Sequence, residues 1–168
     1  MNRCKKNKTI RFCLLLLCLS SMTGCYTLQV PTVSNPGNLR DYQYAYIIPA
    51  SGVSASYEVS GNQYGVYGGK MITTNPSEVI AGYLMKKGYT ILPELTADLE
   101  EKTLVINYGH LGKRRLSLFS HSNIVILQFR NAQTHELVAS SEAEGGNGAN
   151  EANDILQAIT RALDALFK

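Results

Sequence analysis

In the hydrophobic and polar pattern over residues 42–49, Tyr42, Tyr44, Tyr46 and Ile48 alternate with Gln43, Ala45 and Ile47, and aromatic and β-branched residues dominate. That period of two places successive side chains on opposite faces and predicts a strand, which Pro49 ends. Two further β-like runs, 53–59 and 63–67, flank Ser60-Gly61-Asn62, so a hairpin with its turn at 60–62 is expected. The period then changes to that of a helix. Asn75 can cap, Pro76 suits the first helical position and Glu78 completes a capping box. Val79, Ile80, Tyr83 and Leu84 would form the buried stripe of a helix over 76–87, with Lys86 and Lys87 at its negative end and Gly88 as its left-handed stop.

Beyond the helix, 89–92 reads as a short strand closed by Pro93. Residues 103–108 read as a central strand extended towards Leu118. In 123–130, Ile124, Ile126 and Gln128 oppose Val125, Leu127 and Phe129, which predicts a second long strand. A turn over 131–134 and a strand over 136–143 follow. After Gly145-Gly146-Asn147-Gly148 a closing helix is expected over 151–167, with Ile155, Ile159, Ala162 and Leu166 on one face. The order predicts an α+β fold, a two-layer sandwich in which two helices cover one face of a mostly antiparallel sheet. Residues 41–168 provide enough chain for one such domain.

The stretch before this domain has a different character. Arg3, Lys5, Lys6, Lys8 and Arg11 precede the apolar run 12–19, and Ser21-Met22-Thr23-Gly24-Cys25 follows it. About a dozen apolar residues are too few to cross a bilayer, which takes roughly 20. A basic start, a short apolar core and small residues before a cysteine are expected of a signal peptide, here residues 1–24. The cysteine segment resembles a lipobox, with Met22 where leucine is usual. The resemblance implies cleavage before Cys25 and acylation of it, palmitate included. Residues 25–40, with Pro31, Pro36 and Gly37, would then be a lipidated tether without a core pattern of its own.

Loss of the leader removes five of the 16 basic residues and none of the 13 acidic ones, which turns the formal charge from +3 to about −2. The basic character of the whole chain is therefore a targeting signal, and nucleic acid is not an expected partner. Cys4, Cys13 and Cys18 leave as well, so Cys25 is the single remaining cysteine and an internal disulfide is excluded from the mature chain.

The lipobox, the strand with Tyr44-Ala45-Tyr46, the helix ending Lys87-Gly88-Tyr89, the Ala97-Asp98-Leu99 step, the meander and the amphipathic last helix together resemble a family of small bacterial envelope lipoproteins whose domain has no assigned function. In outline the chain is also similar to the accessory lipoprotein of lipopolysaccharide export. The resemblance implies anchoring of the protein in a membrane by its lipid and an envelope protein as partner. Tyr26, rather than aspartate, follows the cysteine, and the sorting rule of such lipoproteins then implies the outer membrane. The absence of acidic residues over 27–33 favours its periplasmic face.

Residues that carry chemistry fall short of each catalytic pattern. Gly146-Asn147-Gly148-Ala149-Asn150-Glu151 sits between strand and helix like a dinucleotide loop, but Glu151 would place negative charge against a pyrophosphate. His135-Glu136 lacks the second histidine of a zinc-protease helix, because Ala139 stands there. Gly52-Val53-Ser54-Ala55-Ser56 lacks the closing glycine of a nucleophile elbow. His110 and His121 could meet across the hairpin, but two histidines are fewer than zinc prefers. No enzyme activity, metal or cofactor is expected. What remains is a cationic cluster of His110, Lys113, Arg114 and Arg115 near His121. It reads either as a contact for an anion or an acidic partner, or as a solvated hairpin whose charges discourage edge pairing. A binding module for lipid, glycan or peptide, built on this cluster and the tyrosines of 42–67, is the alternative to an accessory or assembly partner.

Overall fold

The computed structural model describes residues 27–34, 37–49, 54–62, 65–116, 120–146 and 150–168. The leader, Cys25, the start of the Gly52–Ser56 stretch, the approach to Leu118 and the Asn147-Gly148 pair lie outside them. Eight strands are described: β1 (Thr32–Ser34), β2 (Tyr44–Ile47), β3 (Ser54–Asn62), β4 (Gly65–Thr74), β5 (Thr90–Leu92), β6 (Thr103–Arg115), β7 (His121–Asn131) and β8 (Leu137–Gly145). The helices are α1 (Pro76–Lys86) and α2 (Glu151–Leu166), with short 3-10 turns at Leu39–Asp41 and Ala97–Lys102. Six strands form one open sheet in the order β1-β8-β7-β6-β2-β5, and β3 and β4 form a separate two-stranded ribbon.

The fold is α+β, as the sequence pattern predicts, and the sheet is mostly antiparallel. β8 runs antiparallel to β1 and β7, and β7 runs antiparallel to β6. The exception is β2, which lies parallel to both β6 and β5. Parallel neighbours need a crossover, and the ribbon plus α1 supply it between β2 and β5. The ribbon differs from expectation in its register: Gly61 pairs with Val66 and Asn62 with Gly65, so both belong to the strands.

Period-two alternation sorts β7 between two environments. Val125, Leu127 and Phe129 are fully buried under the helices, whereas Ile124, Ile126 and Gln128 are half-buried on the opposite face. Register places Ala45 and Ile47 beside Leu104 and Ile106, and Ile106 beside Phe129, so the covered face is one continuous apolar layer. Tyr44 and Tyr46 lie half-buried on the other face.

α1 starts as predicted: the Asn75 side chain accepts from the Ser77 amide at 3.1 Å and donates to the Glu78 carboxylate at 3.1 Å. Ile80 and Leu84 are fully buried. Gly88 follows at φ +93°, the conformation that a side chain resists. In α2, Ala152, Ile155, Ala158, Ile159, Ala162 and Leu163 face the sheet. The alanines let the helix backbone sit against β8. At Gly145 a methyl group would come within 1.8 Å of the Asp154 carbonyl oxygen, so only glycine allows this approach. Phe167 closes the far end of the core, its ring centroid 6.3 Å from that of Phe129 and 6.0 Å from that of Tyr89.

The expected tether is in part built into the domain. β1 pairs with β8 through Thr32 opposite Glu142 and Ser34 opposite Ser140, and Leu39 is buried in the core. The prolines and small polar residues gave no periodic signal, because a three-residue edge strand is specified by its partner rather than by its own pattern.

Candidate functional site

The cationic residues singled out in the sequence lie at one end of the sheet, where β6 ends, β7 begins and β8 meets α2. A bulge between His110 and Gly112 decides their directions. Gly112 adopts φ +108°, and the register moves from His110 opposite Val125 to Lys113 opposite Asn123. Because the extra residue reverses the parity of the strand, His110 and Lys113 share the helix-covered face, while Arg114, opposite Ser122, points to the other. The four residues do not form a single anion clamp.

Each has its own surroundings. His110 Nε2 lies 3.1 Å from Asn123 Oδ1. His121 sits opposite Arg115 rather than opposite His110, so the two histidines do not meet. Lys113 Nζ bridges to Glu151 Oε2 at 2.9 Å, which ties β6 to the first turn of α2. Arg115 is exposed.

Arg114 is committed to Glu144, a residue that the sequence reading did not single out. The guanidinium grips the carboxylate with two donors, Nε to Oε1 and Nη2 to Oε2, the latter at 2.6 Å. The Glu144 side chain is 3% exposed against 36% for Arg114, so the acid is the buried partner. The Gln29 amide donates a third hydrogen bond to Glu144 Oε2 at 3.0 Å. Arg161 on α2 then donates to the Glu144 carbonyl and, at 2.7 Å, to the Gln29 carbonyl. The Arg114 hydrogen bonds, opposed by burial and aided by the Gln29 amide and the charges of Arg114 and Arg161, hold the Glu144 carboxyl below the usual carboxylate range. This network clamps the chain four residues after Cys25 onto the sheet end. Nothing in the local sequence marks Glu144, since its partners come from residues 29, 114 and 161.

The opposite end carries a cleft of about 580 Å³ lined by Leu39, Arg40, Tyr42, Lys87, Tyr89 and Phe167, among others. Tyr89 donates to the Leu39 carbonyl at 2.6 Å there, and Lys87 Nζ lies 5.5 Å from the centre of the Tyr83 ring and 5.8 Å from that of Phe167. Among the described residues, no three His, Cys, Asp or Glu side chains converge as metal ligands would.

No family model matches the chain, and no curated protein matches it by sequence. Solved structures do. A substituted form of the PelC dodecamer from Paraburkholderia phytofirmans is 14% identical with a TM-score of 0.49, over 83% of this chain and 98% of that one. A second PelC dodecamer from the same organism is 14% identical with a TM-score of 0.47, over 81% and 96%.

Proposed function

We propose that the chain is a cell-envelope lipoprotein held in the outer membrane, on its periplasmic side, through acylated Cys25. In this reading it acts without catalysis, as an accessory or assembly partner of another envelope protein. The observation that carries the proposal is Ser21-Met22-Thr23-Gly24-Cys25 at the end of a short apolar leader with a basic start. Two fatty chains hold a protein stably at a bilayer, at about 0.8 kcal/mol for each buried methylene. The half-buried apolar and aromatic side chains of the sheet face opposite the helices, with Tyr44, Tyr46, Ile124 and Ile126 among them, support a partner role.

The aromatic and cationic lining of the cleft beside Tyr89 favours a second reading, a binding module for lipid, glycan or peptide. Arg114 is less available to such a surface, because two of its donors and its charge are engaged by Glu144.

The test begins with mass spectrometry of the mature protein from its own membranes. The N-terminal peptide is expected to begin at Cys25 and carry fatty-acyl mass; a mature start elsewhere, or an unacylated Cys25, overturns the anchor. Crosslinking in intact cells, beside a Cys25→Ala control, then separates the two roles. Recovery of one stoichiometric envelope protein only with intact Cys25 supports the accessory role. Recovery of lipid or glycan in its place supports the binding module.

A further inference from the structure

We infer that the domain stands on the membrane by one defined end, the end formed by Lys113, Arg115, His121 and the start of α2, with the Tyr89 cleft pointing away. The inference rests on the proposed acylation of Cys25 and adds an orientation to it. Its starting point is the clamp on Gln29, whose amide and carbonyl are both held, the first by Glu144 and the second by Arg161. From Gln29 to Cys25 there are four residues, and four residues fully extended span at most about 14 Å. A lipid inserted at Cys25 therefore keeps the bilayer surface within that distance of Gln29.

Register then says which end of the domain this is. β1 runs antiparallel to β8 with Thr32 opposite Glu142, so the chain before β1 leaves along β8 towards Gly145. Gly145 pairs with Asn123, and His121 pairs with Arg115, so the exit point shares the sheet end with the tip of the β6–β7 hairpin. β7 has 11 residues and so separates this end from the Asn131 turn by about 33 Å. The reach of the tether is less than half of that length, so the far end cannot take the place of the near one at the surface.

Charge agrees with this placement. Lys113, Arg115 and His121 are exposed at the near end, where anionic headgroup phosphates would meet them. Lys113 also bridges Glu151, which sits on the same rim. The far end carries charge of both signs, Asp98, Glu100 and Glu101 in the 3-10 turn that leads into β6 and Arg40 and Lys87 at the cleft, so the placement rests on the tether and on the near-end cations. The occupant of the near end is thus a lipid headgroup surface.

The experiment uses the acylated full-length mature protein in liposomes of phosphatidylethanolamine and phosphatidylglycerol. With the Cys25 thiol acylated, an introduced cysteine is the one reactive thiol, so Ser120→Cys and Gln133→Cys each accept a fluorophore at a single position. Quenching by a nickel-chelating lipid is expected to be severalfold stronger at 120 than at 133. A flexible ten-residue insertion between Tyr26 and Thr27 is expected to remove most of that difference. Liposome flotation and intact mass are measured on the same samples. Acylated, floating protein with equal quenching at the two positions, or stronger quenching at 133, overturns the orientation and leaves the anchor standing. Protein that neither carries acyl mass nor floats overturns the anchor, and the orientation with it.

Discussion

Glu144 and Gly145 are adjacent residues at the end of β8, and both are set by what packs on them. Glu144 is the buried half of an ion pair, and folding lowers its pKa. A group shifted in this direction contributes stability that is fully present above its unfolded value of about 4.3 and is lost as pH falls through the lower folded value. Glu144→Gln is therefore expected to be less stable than the parent at pH 7, with the gap closing as the pH drops below 4. Chemical denaturation of both proteins across that range measures it, and a gap that does not change with pH would show that the charge contributes nothing. At Gly145, the added methyl of alanine would meet backbone atoms of α2, the Asp154 oxygen at 1.8 Å and the Ala158 nitrogen at 2.6 Å. Backbone cannot rotate aside as a side chain can, so Gly145→Ala should cost about 3 kcal/mol, the upper end of the usual overpacking range, read from the denaturation midpoint. Tyr83 is a milder case: burial first, then its 2.8 Å hydrogen bond to Asp164 and that residue's charge, push its phenol up to about 12.

At the scale of elements, the helices were legible because their signals are local. Cap, stripe and stop of α1 lie within 14 consecutive residues, 75–88, and each does what its chemistry predicts. α2 repeats this with Asn150, whose side chain accepts from the Asn153 amide at 2.9 Å. Asn150→Ala should lower stability by about 1 kcal/mol, the usual worth of such a cap, in the same denaturation measurement. Strands were legible where a face is buried, as in β7, and were not where a neighbour decides. β1 has no alternation to read, Gly61 and Asn62 are paired strand residues although a Gly-Asn pair signals a turn, and the β6 bulge moves Arg114 off the face of His110 and brings Lys113 onto it. A bulge is invisible to a period-two reading, which would put Arg114 rather than Lys113 on the face of His110.

For the whole molecule, the clamp on Gln29 converts most of an expected tether into part of the domain. Removal of residues 26–34 from the mature protein is expected to destabilise the remainder by about 2 kcal/mol, through the lost β1 ladder and the Glu144 carboxylate left without the Gln29 amide. Equal stability in thermal or chemical unfolding would mean that the segment is a passive tether after all. No helix among the described residues is long and apolar enough to cross a membrane.

By itself the sequence determined the α+β class, both helices with their caps, the two faces of the central strand and the expectation of a lipid at Cys25. Each of these depends on neighbours within a few turns or on a contiguous motif, so a linear reading carries them. Tertiary structure alone decided that β2 is parallel to its neighbours, that β1 joins the sheet, and that Arg114 is bound to Glu144 instead of facing outward. The last two depend on residues 29, 114, 144 and 161 meeting in space, and the first on Tyr44–Ile47 meeting Thr90–Leu92 and Thr103–Ile106; the free energy that brings such distant residues together comes from burying the core that the sheet and α2 share.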